Sequence, residues 1–300
     1  MTTDTAPIVF VPAQLRGGTI SQFVADLVAG CPQGWPPAMT LDFSNLRFIR
    51  PIGTVFLSNL LWWLHQKGTK VTLYNIGGDR SALKYLDDSL FFEQHCGKKV
   101  SEAAAPRSTT RPLLRIAHSH SHAWLEQDLV PWLSARCGKT QASFFQLKSC
   151  LSELFNNIKD HTKFDIGSIF VQHYPNEKGM NICLADFGLG IPAKVRETVP
   201  NLSDADAIIT AVREGFTSKS TPGNAGLGLD SLLRTVVGTN NGEVTIYSLN
   251  AIVRFRKDAN GEIRPFPVAN VGFCPGTTID INLRTDLIEE LSDEREELEW

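Results

Sequence analysis

The segment 153–161 places three polar side chains where a helix would align them. Glu153, Asn157 and His161 follow one another at intervals of four residues, so on a helix they lie one above another on the same face. A neighbouring face carries apolar residues at helical spacing: Leu147, Leu151, Leu154 and Ile158. One face of the predicted helix can therefore pack into a core while the next presents a carboxylate, an amide and an imidazole.

Two glycine-containing motifs follow this stripe along the chain. In the first, Asp186 ends an apolar run, and Gly188 and Gly190 leave room for a flat base. In the second, residues 223–229, the glycines at positions 223, 226 and 228 allow the backbone to approach phosphate oxygens closely. A helix is predicted to begin near Leu229, and its free N–H groups and positive dipole end favour an anion. Together the two motifs predict a nucleotide site.

The polar residues near these motifs have the chemistry that a bound ATP requires. Asn157 offers a neutral oxygen to Mg²⁺, which keeps several waters and takes few protein ligands. Glu153 can orient or deprotonate an attacking water or hydroxyl, and Lys219 adds a point charge for the terminal phosphate. Asp186 is an acceptor suited to the adenine amino group. No Gly-x-x-x-x-Gly-Lys-[Ser/Thr] sequence occurs, which disfavours the P-loop class.

Composition and charge are typical of a globular protein. Of 300 residues, 42% are hydrophobic and 20% charged, and a net charge of −3 gives no positive field for nucleic acid. The six cysteines are scattered without a Cys-x-x-Cys pair, which favours reduced thiols. The N-terminus lacks signal-peptide features, and the most apolar window, 54–64, is shorter than the roughly 20 residues of a spanning helix. We expect a cytoplasmic protein that binds neither nucleic acid nor membrane.

The chain is predicted to contain two domains. Residues 98–112 are small and polar and include two prolines, which is typical of a linker. This divides the chain into an N-terminal domain at 1–97, a larger domain at 113–285 and an acidic tail at 286–300. The expected fold class is α/β in both domains.

Hydrophobic periodicity supports that class. In the first domain we expect strands and helices to alternate, with strands at 8–11, 39–43 and 71–74 and helices at 52–67 and 81–86. In the second we expect an α/β sandwich with helices at 122–135, 142–160, 204–213 and 230–237. Its strands are expected at 166–173, 181–185, 243–248, 252–256 and 278–283.

At this point the sequence resembles a known superfamily. Residues 113–285 are similar to the GHKL ATP-binding domain, which is shared by gyrase, Hsp90, histidine kinases and MutL. The N box of that domain matches 153–161, and its two glycine boxes match 186–191 and 223–229. Residues 276–281 resemble its final Gly-Thr strand. The order and separation of these motifs match the superfamily.

The resemblance implies a Bergerat-type α/β sandwich that binds ATP and Mg²⁺. It implies Glu153 as the catalytic base and Asn157 as the Mg²⁺ ligand, with 192–222 as a lid over the phosphates. Further residues are implied to bind the nucleotide: His161, Asp186, Gly188, Gly190, Ile191, Lys219, Gly223, Gly226, Leu227, Gly228, Leu229 and Thr277. In the superfamily the Thr of the last strand lies near the adenine pocket.

Within the superfamily, the Glu-x-x-x-Asn-x-x-x-His form resembles the anti-sigma-factor serine kinases more than the histidine kinases. A histidine kinase would need an upstream phosphoacceptor helix pair, and none surrounds His118, His120 and His122, which we interpret as a loop and helix start. Gyrase, Hsp90 and MutL relatives carry a large transducer domain after the ATP site. Only about fifteen residues follow the last predicted strand here.

Residues 38–96 resemble a STAS domain, the fold of anti-sigma-factor antagonists. The resemblance rests on the segments 39–49, 70–74 and 82–92 and on a glycine, Gly53, that opens a helix. In that family a phosphorylated Ser lies just before the helix. The matching positions here are Arg50, Pro51, Ile52 and Gly53, which offer neither an acid nor a hydroxyl. The domain is therefore expected to be a degenerate member that is not phosphorylated there.

Three functions compete. In the first, the chain is a Ser/Thr kinase that acts on a separate protein, such as a sigma factor or a STAS-type protein. In the second, it is a slow ATPase switch whose nucleotide state controls partner binding or homodimerisation. In the third, it is a non-enzymatic adaptor in a partner-switching pathway. The presence of Glu153 argues against the adaptor. The missing acceptor before the STAS-like helix argues against a self-contained kinase–substrate pair.

Overall fold

The computed structural model describes residues 6–161, 166–186, 188–213, 227–269 and 272–292. Within these residues the N-terminal part combines short parallel strands with helices, and the C-terminal part is an antiparallel seven-stranded sheet with helices. The predicted α/β class is confirmed. The division into two domains stays a prediction.

The N-terminal part contains five of the predicted elements, with bounds that differ by one or two residues. A three-stranded parallel sheet has the strand order β1-β3-β5, and β2 pairs separately with β4. The elements are β1 (Ile8–Phe10), β2 (Gln14–Leu15), α1 (Gly18–Ala29), β3 (Ala38–Asp42), β4 (Phe48–Ile49), α2 (Pro51–Gln66), β5 (Lys70–Tyr74), α3 (Ser81–Asp88) and α4 (Phe91–Cys96). The pattern did not predict α1, α4, β2 or β4.

Helix α2 is the most deeply buried element of this part. Pro51 occupies its first turn, where its missing N–H costs nothing, and Gly68 follows its end with a φ of 81°. Every residue from position 51 to 61 is buried, so the helix is surrounded by protein on all sides. Among the described residues, no helix is long and apolar enough to cross a lipid bilayer.

The C-terminal part is organised around one sheet. Its strand order is β11-β10-β9-β12-β8-β7-β6, and every neighbouring pair is antiparallel. The elements are β6 (Thr110–Ala117), α5 (His118–Trp124), α6 (Val130–Cys137), α7 (Phe145–His161), β7 (Ile166–Tyr174), β8 (Gly179–Asp186), α8 (Ile191–Arg196), α9 (Asp204–Ala211), α10 (Leu227–Leu233), β9 (Glu243–Leu249), β10 (Ala251–Lys257), β11 (Ile263–Pro267) and β12 (Cys274–Arg284). Two π-helical stretches, Leu125–Leu129 and Arg234–Thr239, extend α5 and α10.

Two strands of this sheet were not predicted. β6 begins at Thr110, inside the segment expected to be a linker, and β11 is a short edge strand with prolines at positions 265 and 267. The helix expected at 122–135 begins earlier, at His118, and continues through a π-helical stretch to Cys137.

Both faces of the seven-stranded sheet are buried. Because side chains alternate along a strand, successive residues of β7, β8 and β9 belong to different cores. One face packs on α5, α6, α7 and α10, and this helical core includes Ile169, Val171, Ile182, Leu184, Ile246 and Ile281. The other face packs on the N-terminal part, and this N-terminal core includes Phe170, Cys183, Ala185, Tyr247 and Ile252. The sheet is thus the middle layer of three.

Helix α2 is the element that covers the second face, and polar contacts attach it there. It lies against β7, β8 and β12. The buried Asn59 donates its Nδ2–H to the backbone oxygen of Pro275 at 2.9 Å, across 216 residues of sequence. The guanidinium carbon of Arg115, on β6, lies 3.7 Å from the ring centroid of Trp62. The N-terminal part and the sheet therefore share one packed interface.

We predict that Asn59→Ala lowers the free energy of unfolding by about 1–2 kcal/mol, because the carbonyl of Pro275 loses its buried donor. Urea unfolding measures the change. Gln66→Ala, an exposed position on the same helix, is the matched control and should stay within about 0.5 kcal/mol of the parent protein. Equal unfolding midpoints for the two variants would contradict a stabilising role for the Asn59 contact.

Candidate functional site

Helix α7 carries the first half of the candidate site. Its 17 residues confirm the predicted helix, and Leu151, Leu154 and Ile158 are buried in the helical core. Glu153 and Asn157 lie on another face and remain partly exposed. The 3.6-residue period therefore separates a packing face from a polar face, as the sequence predicts. His161 ends α7, and its side chain lies outside the described residues.

The start of α10 packs directly against this polar face. A Cβ added at Gly228 would lie 2.5 Å from Cγ of Glu153 and 3.2 Å from Nδ2 of Asn157. Only a glycine allows the helix backbone to come this close, because real Cβ contacts are longer. The structure thus brings Gly228 of the second glycine motif together with Glu153 and Asn157.

Asp186 carries the second half of the candidate site. It ends β8 directly opposite Thr277 in the ladder with β12. Its Oδ1 accepts the backbone N–H of Gly188 at 2.6 Å and the backbone N–H of Thr277 at 3.3 Å. The side-chain hydroxyl of Thr277 is a further hydrogen-bond partner of this carboxyl group. The carboxyl group is therefore held in place by Gly188 and Thr277.

Burial changes the acidity of this carboxyl group. Desolvation raises the pKa of Asp186 to about 6, and the hydrogen bonds from Gly188 and Thr277 oppose the shift by favouring the charged form. Near neutral pH the group is an ionised acceptor that has lost part of its water. It would gain from a ligand that donates a hydrogen bond.

Two further glycines allow these parts to approach one another: Gly276, which begins the expected Gly-Thr strand, and Gly167, which the sequence motifs did not indicate. Gly167 on β7 lies opposite Asp186, and a Cβ there would lie 2.6 Å from Cδ1 of Ile158 on α7. Gly276 has a φ of 70°, and a Cβ there would lie 2.5 Å from the backbone oxygen of Asp186. The contact at Gly276 is with backbone and excludes a larger residue, which sets the distance of the β12 start from Asp186, whereas the contact at Gly167 is with the end of the Ile158 side chain.

Ser248 on β9 is a further residue that sequence reasoning missed. Its side chain is fully buried, and its Oγ donates to the backbone oxygen of Gly276 at 2.8 Å. The same Oγ accepts the backbone N–H of Ile191 at 3.0 Å and lies 3.2 Å from Oγ1 of Thr277. It joins the first glycine motif to the start of β12. The only sequence signal was a hydroxyl at the end of an apolar run.

The remaining predicted residues fall into two groups. Gly190 precedes α8 with a φ of 86°, and Ile191 and Leu229 pack against the helical core. The described part of the predicted lid includes α9, whose Ile208 is buried in the same core, so this part packs as a helix. The rest lie outside the described residues: Lys219, Gly223, Gly226 and the side chain of Leu227.

We predict that Gly228→Ala lowers the free energy of unfolding by about 1–3 kcal/mol, because the added methyl group forces Glu153 out of its rotamer or moves α10. Gly238→Ala is the matched control, since its Cβ would meet Ile263 at an ordinary 3.5 Å. The control should be unchanged or gain up to about 1 kcal/mol. Urea unfolding of the parent protein and the two variants measures these changes. An equal decrease in the free energy of unfolding in both variants would contradict the close approach at Gly228.

No protein-family model and no curated protein matches the chain. The functional interpretation of this site therefore depends on its own geometry: two clusters, one around Glu153, Asn157 and Gly228 and one around Asp186 and Thr277, connected by the packing of α7 on β7.

Proposed function

We propose that the chain is an ATP·Mg²⁺-binding regulatory protein of GHKL type that hydrolyses ATP slowly or transfers its terminal phosphoryl group to a protein partner. The observation that carries this proposal is the meeting of a carboxylate, an amide and a helix start at one point, formed by Glu153, Asn157 and Gly228. Binding of a phosphate chain requires backbone N–H groups at close range, and Gly228 lies at the start of a helix that has them. Mg²⁺ requires an oxygen ligand, which Asn157 has, and phosphoryl transfer requires a general base, which Glu153 can be.

The cluster around Asp186 supports adenine binding at the other end of the site. The adenine amino group donates hydrogen bonds, and the Asp186 carboxyl group, held by Gly188 and Thr277, is an acceptor for such a donor. Thr277 adds a buried hydroxyl beside it, at 3.2 Å from that of Ser248. A partly desolvated carboxylate that is rigidly held favours a complementary donor over water.

The residues around Gly228 fit a phosphate chain and a hydrated metal. A Cβ at position 228 would lie 2.5 Å from Cγ of Glu153, so the glycine lets the start of α10 lie directly beside Glu153 and Asn157. Asn157 would hold Mg²⁺, which would neutralise charge on the phosphates and keep most of its waters. Among the described residues no group of three or more His, Cys, Asp or Glu could hold a metal, so the metal proposal rests on Asn157.

Glu153 is the proposed general base. When the oxygen of a water or of a partner's hydroxyl forms its bond to the terminal phosphorus, the bond from that phosphorus to the bridging oxygen breaks and ADP leaves. The proton of the attacking oxygen passes to the carboxylate of Glu153. Asn157 lies one helical turn away, so the base and the metal ligand face the same space.

The N-terminal part supports an external partner. We propose that it is a degenerate STAS-like domain, because its parallel strands β1, β3 and β5 adjoin the buried helix α2. Pro51, Ile52 and Gly53 are buried, and a Cβ at Gly53 would lie 2.7 Å from the backbone oxygen of Leu15. This end of α2 is closed by packing and offers no hydroxyl at positions 50–53, so we propose that the phosphorylated residue belongs to another protein, such as a sigma factor or a STAS-type protein.

The alternative function is a nucleotide-binding adaptor that does not turn ATP over. The hydrogen bond from Nδ2 of Asn156 to Oε2 of Glu153, at 3.1 Å, favours the enzyme, because an adaptor has no use for an oriented base.

We predict that Glu153→Gln lowers the rate of phosphate release from ATP by about 10²–10⁴-fold, because the amide cannot accept the proton. Calorimetry on the same samples measures the Kd for ATP with Mg²⁺. This Kd should change less than about threefold, since glutamine has nearly the same shape as glutamate. Glu126→Gln, an exposed carboxylate on the π-helical stretch, is the control and should release phosphate at the parent rate. Tight binding of ATP by the parent protein, with neither phosphate release nor transfer to a STAS-type protein, would favour the adaptor, and no binding would reject the proposal.

We predict that ATP affinity weakens as the pH falls through about 6. The folded protein holds Asp186 with a pKa of about 6, so at pH 5 only about one-tenth of the molecules carry the carboxylate that accepts from adenine. The Kd should rise about tenfold more between pH 7.5 and pH 5 for the parent protein than for Asp186→Asn. The phosphates of ATP titrate equally with both proteins, so their difference isolates the carboxyl group. Parallel pH profiles would exclude Asp186 as the adenine acceptor.

A further inference from the structure

Glu153 is the first member of a chain of three hydrogen-bonded side chains. Asn156 donates from Nδ2 to Oε2 of Glu153 at 3.1 Å. Its Oδ1 lies 2.7 Å from Nε2 of His118. The three residues come from two elements, since Glu153 and Asn156 lie on α7 and His118 begins α5. All three are partly buried.

The direction of these bonds follows from the chemistry of their ends. An ionised carboxylate only accepts hydrogen bonds, so the Asn156 group facing Glu153 is the amide N–H. The oxygen of Asn156 then faces His118 and can only accept, so Nε2 of His118 carries a proton. The carboxylate therefore fixes the direction of the amide, and the amide oxygen places a proton on Nε2 of the imidazole.

The position of His118 is set by the fold. It is the first residue of α5, which lies against α7, and its backbone oxygen accepts the hydroxyl of Ser121 at 2.7 Å. The two other histidines of this helix, His120 and His122, are exposed. His122 forms only a surface pair with Glu126 at 3.2 Å. Of the three histidines of α5, His118 alone is placed to reach the polar face of α7.

We propose that His118 is a positioning residue that acts through Asn156 to hold the carboxylate of Glu153 in the orientation needed for proton transfer. This inference rests on the proposed role of Glu153 as general base. A glutamate has three rotatable bonds, and the Asn156 bond restrains one oxygen while the other is left for the attacking molecule. The Nε2–H of His118 gives Asn156 a second hydrogen bond, which restrains the side chain of Asn156 beside Glu153.

The tautomer of His118 tests the hydrogen-bond chain without any reaction. Long-range ¹H–¹⁵N spectra of protein labelled at histidine distinguish protonated Nε2 from protonated Nδ1. We expect Nε2 of His118 to carry a proton in the parent protein, and a loss of this preference in Asn156→Leu. A neutral His118 protonated at Nδ1 in the parent protein would overturn the proposal.

Turnover of ATP tests the positioning role. His118→Ala should lower kcat for phosphate release about tenfold, because the carboxylate samples unproductive rotamers, whereas KM and the Kd for ATP stay within about twofold. His118→Gln should recover kcat to within about twofold of the parent, because its Nε2–H can replace the imidazole donor. His122→Ala is the matched control on the same helix and should behave like the parent protein.

The outcomes separate the two proposals. Suppose that the parent protein turns ATP over and that Glu153→Gln abolishes this turnover. If His118→Ala then has the same kcat as His122→Ala, Glu153 remains the general base and the positioning role of His118 is wrong. If His118→Ala and His118→Gln lose turnover equally, together with ATP affinity or unfolding stability, the effect is structural and the positioning role is also wrong. If the parent protein neither releases phosphate from ATP nor transfers it to a protein partner, the proposed function fails and the role of His118 fails with it, whatever tautomer is found.

Discussion

The burial of one antiparallel sheet on both faces is the constraint on which the rest of this structure depends. Antiparallel sheets often leave one face in water, and their strands then alternate apolar and polar residues. Here β7 and β8 are apolar on both sides because the helices cover one face and α2 with its neighbours covers the other. A shift of one residue in the register would exchange two differently shaped cores, so the pairing is tightly specified.

This fixed register determines where the polar residues of the site lie. Asp186, Gly276 and Thr277 are neighbours because β8 ends where β12 begins, and the ladder pairs Thr277 with Asp186. Glu153 and Asn157 are carried by α7, which packs on β7 beside Gly167. The candidate site is therefore formed from strand ends, a helix and glycine contacts.

The periodic parts of this architecture could be predicted from the sequence, and the long-range parts could not. α7 with its polar stripe was predicted because a 17-residue helix repeats its pattern several times. β6 and β11 were missed because prolines and arginines interrupt their alternation, and pairing with a neighbouring strand provides what the local sequence lacks. In the site, Glu153, Asn157, Asp186 and Gly228 were predicted from motif spacing. Ser248, Gly167 and the link from His118 to Asn156 join residues distant in sequence, so no local pattern indicates them.

The sharing of one sheet by both parts of the chain also limits how the protein can be taken apart. A cut within residues 98–112 would leave the second face of the sheet without α2. Phe170, Ala185, Tyr247 and Ile252, all buried in the intact chain, would then face water. A contiguous apolar patch of this kind promotes aggregation or the capture of a substitute partner. The C-terminal part produced alone would therefore tend to aggregate or to bind other proteins non-specifically. Its behaviour in solution would reflect the exposed apolar face of the sheet and not the intact protein.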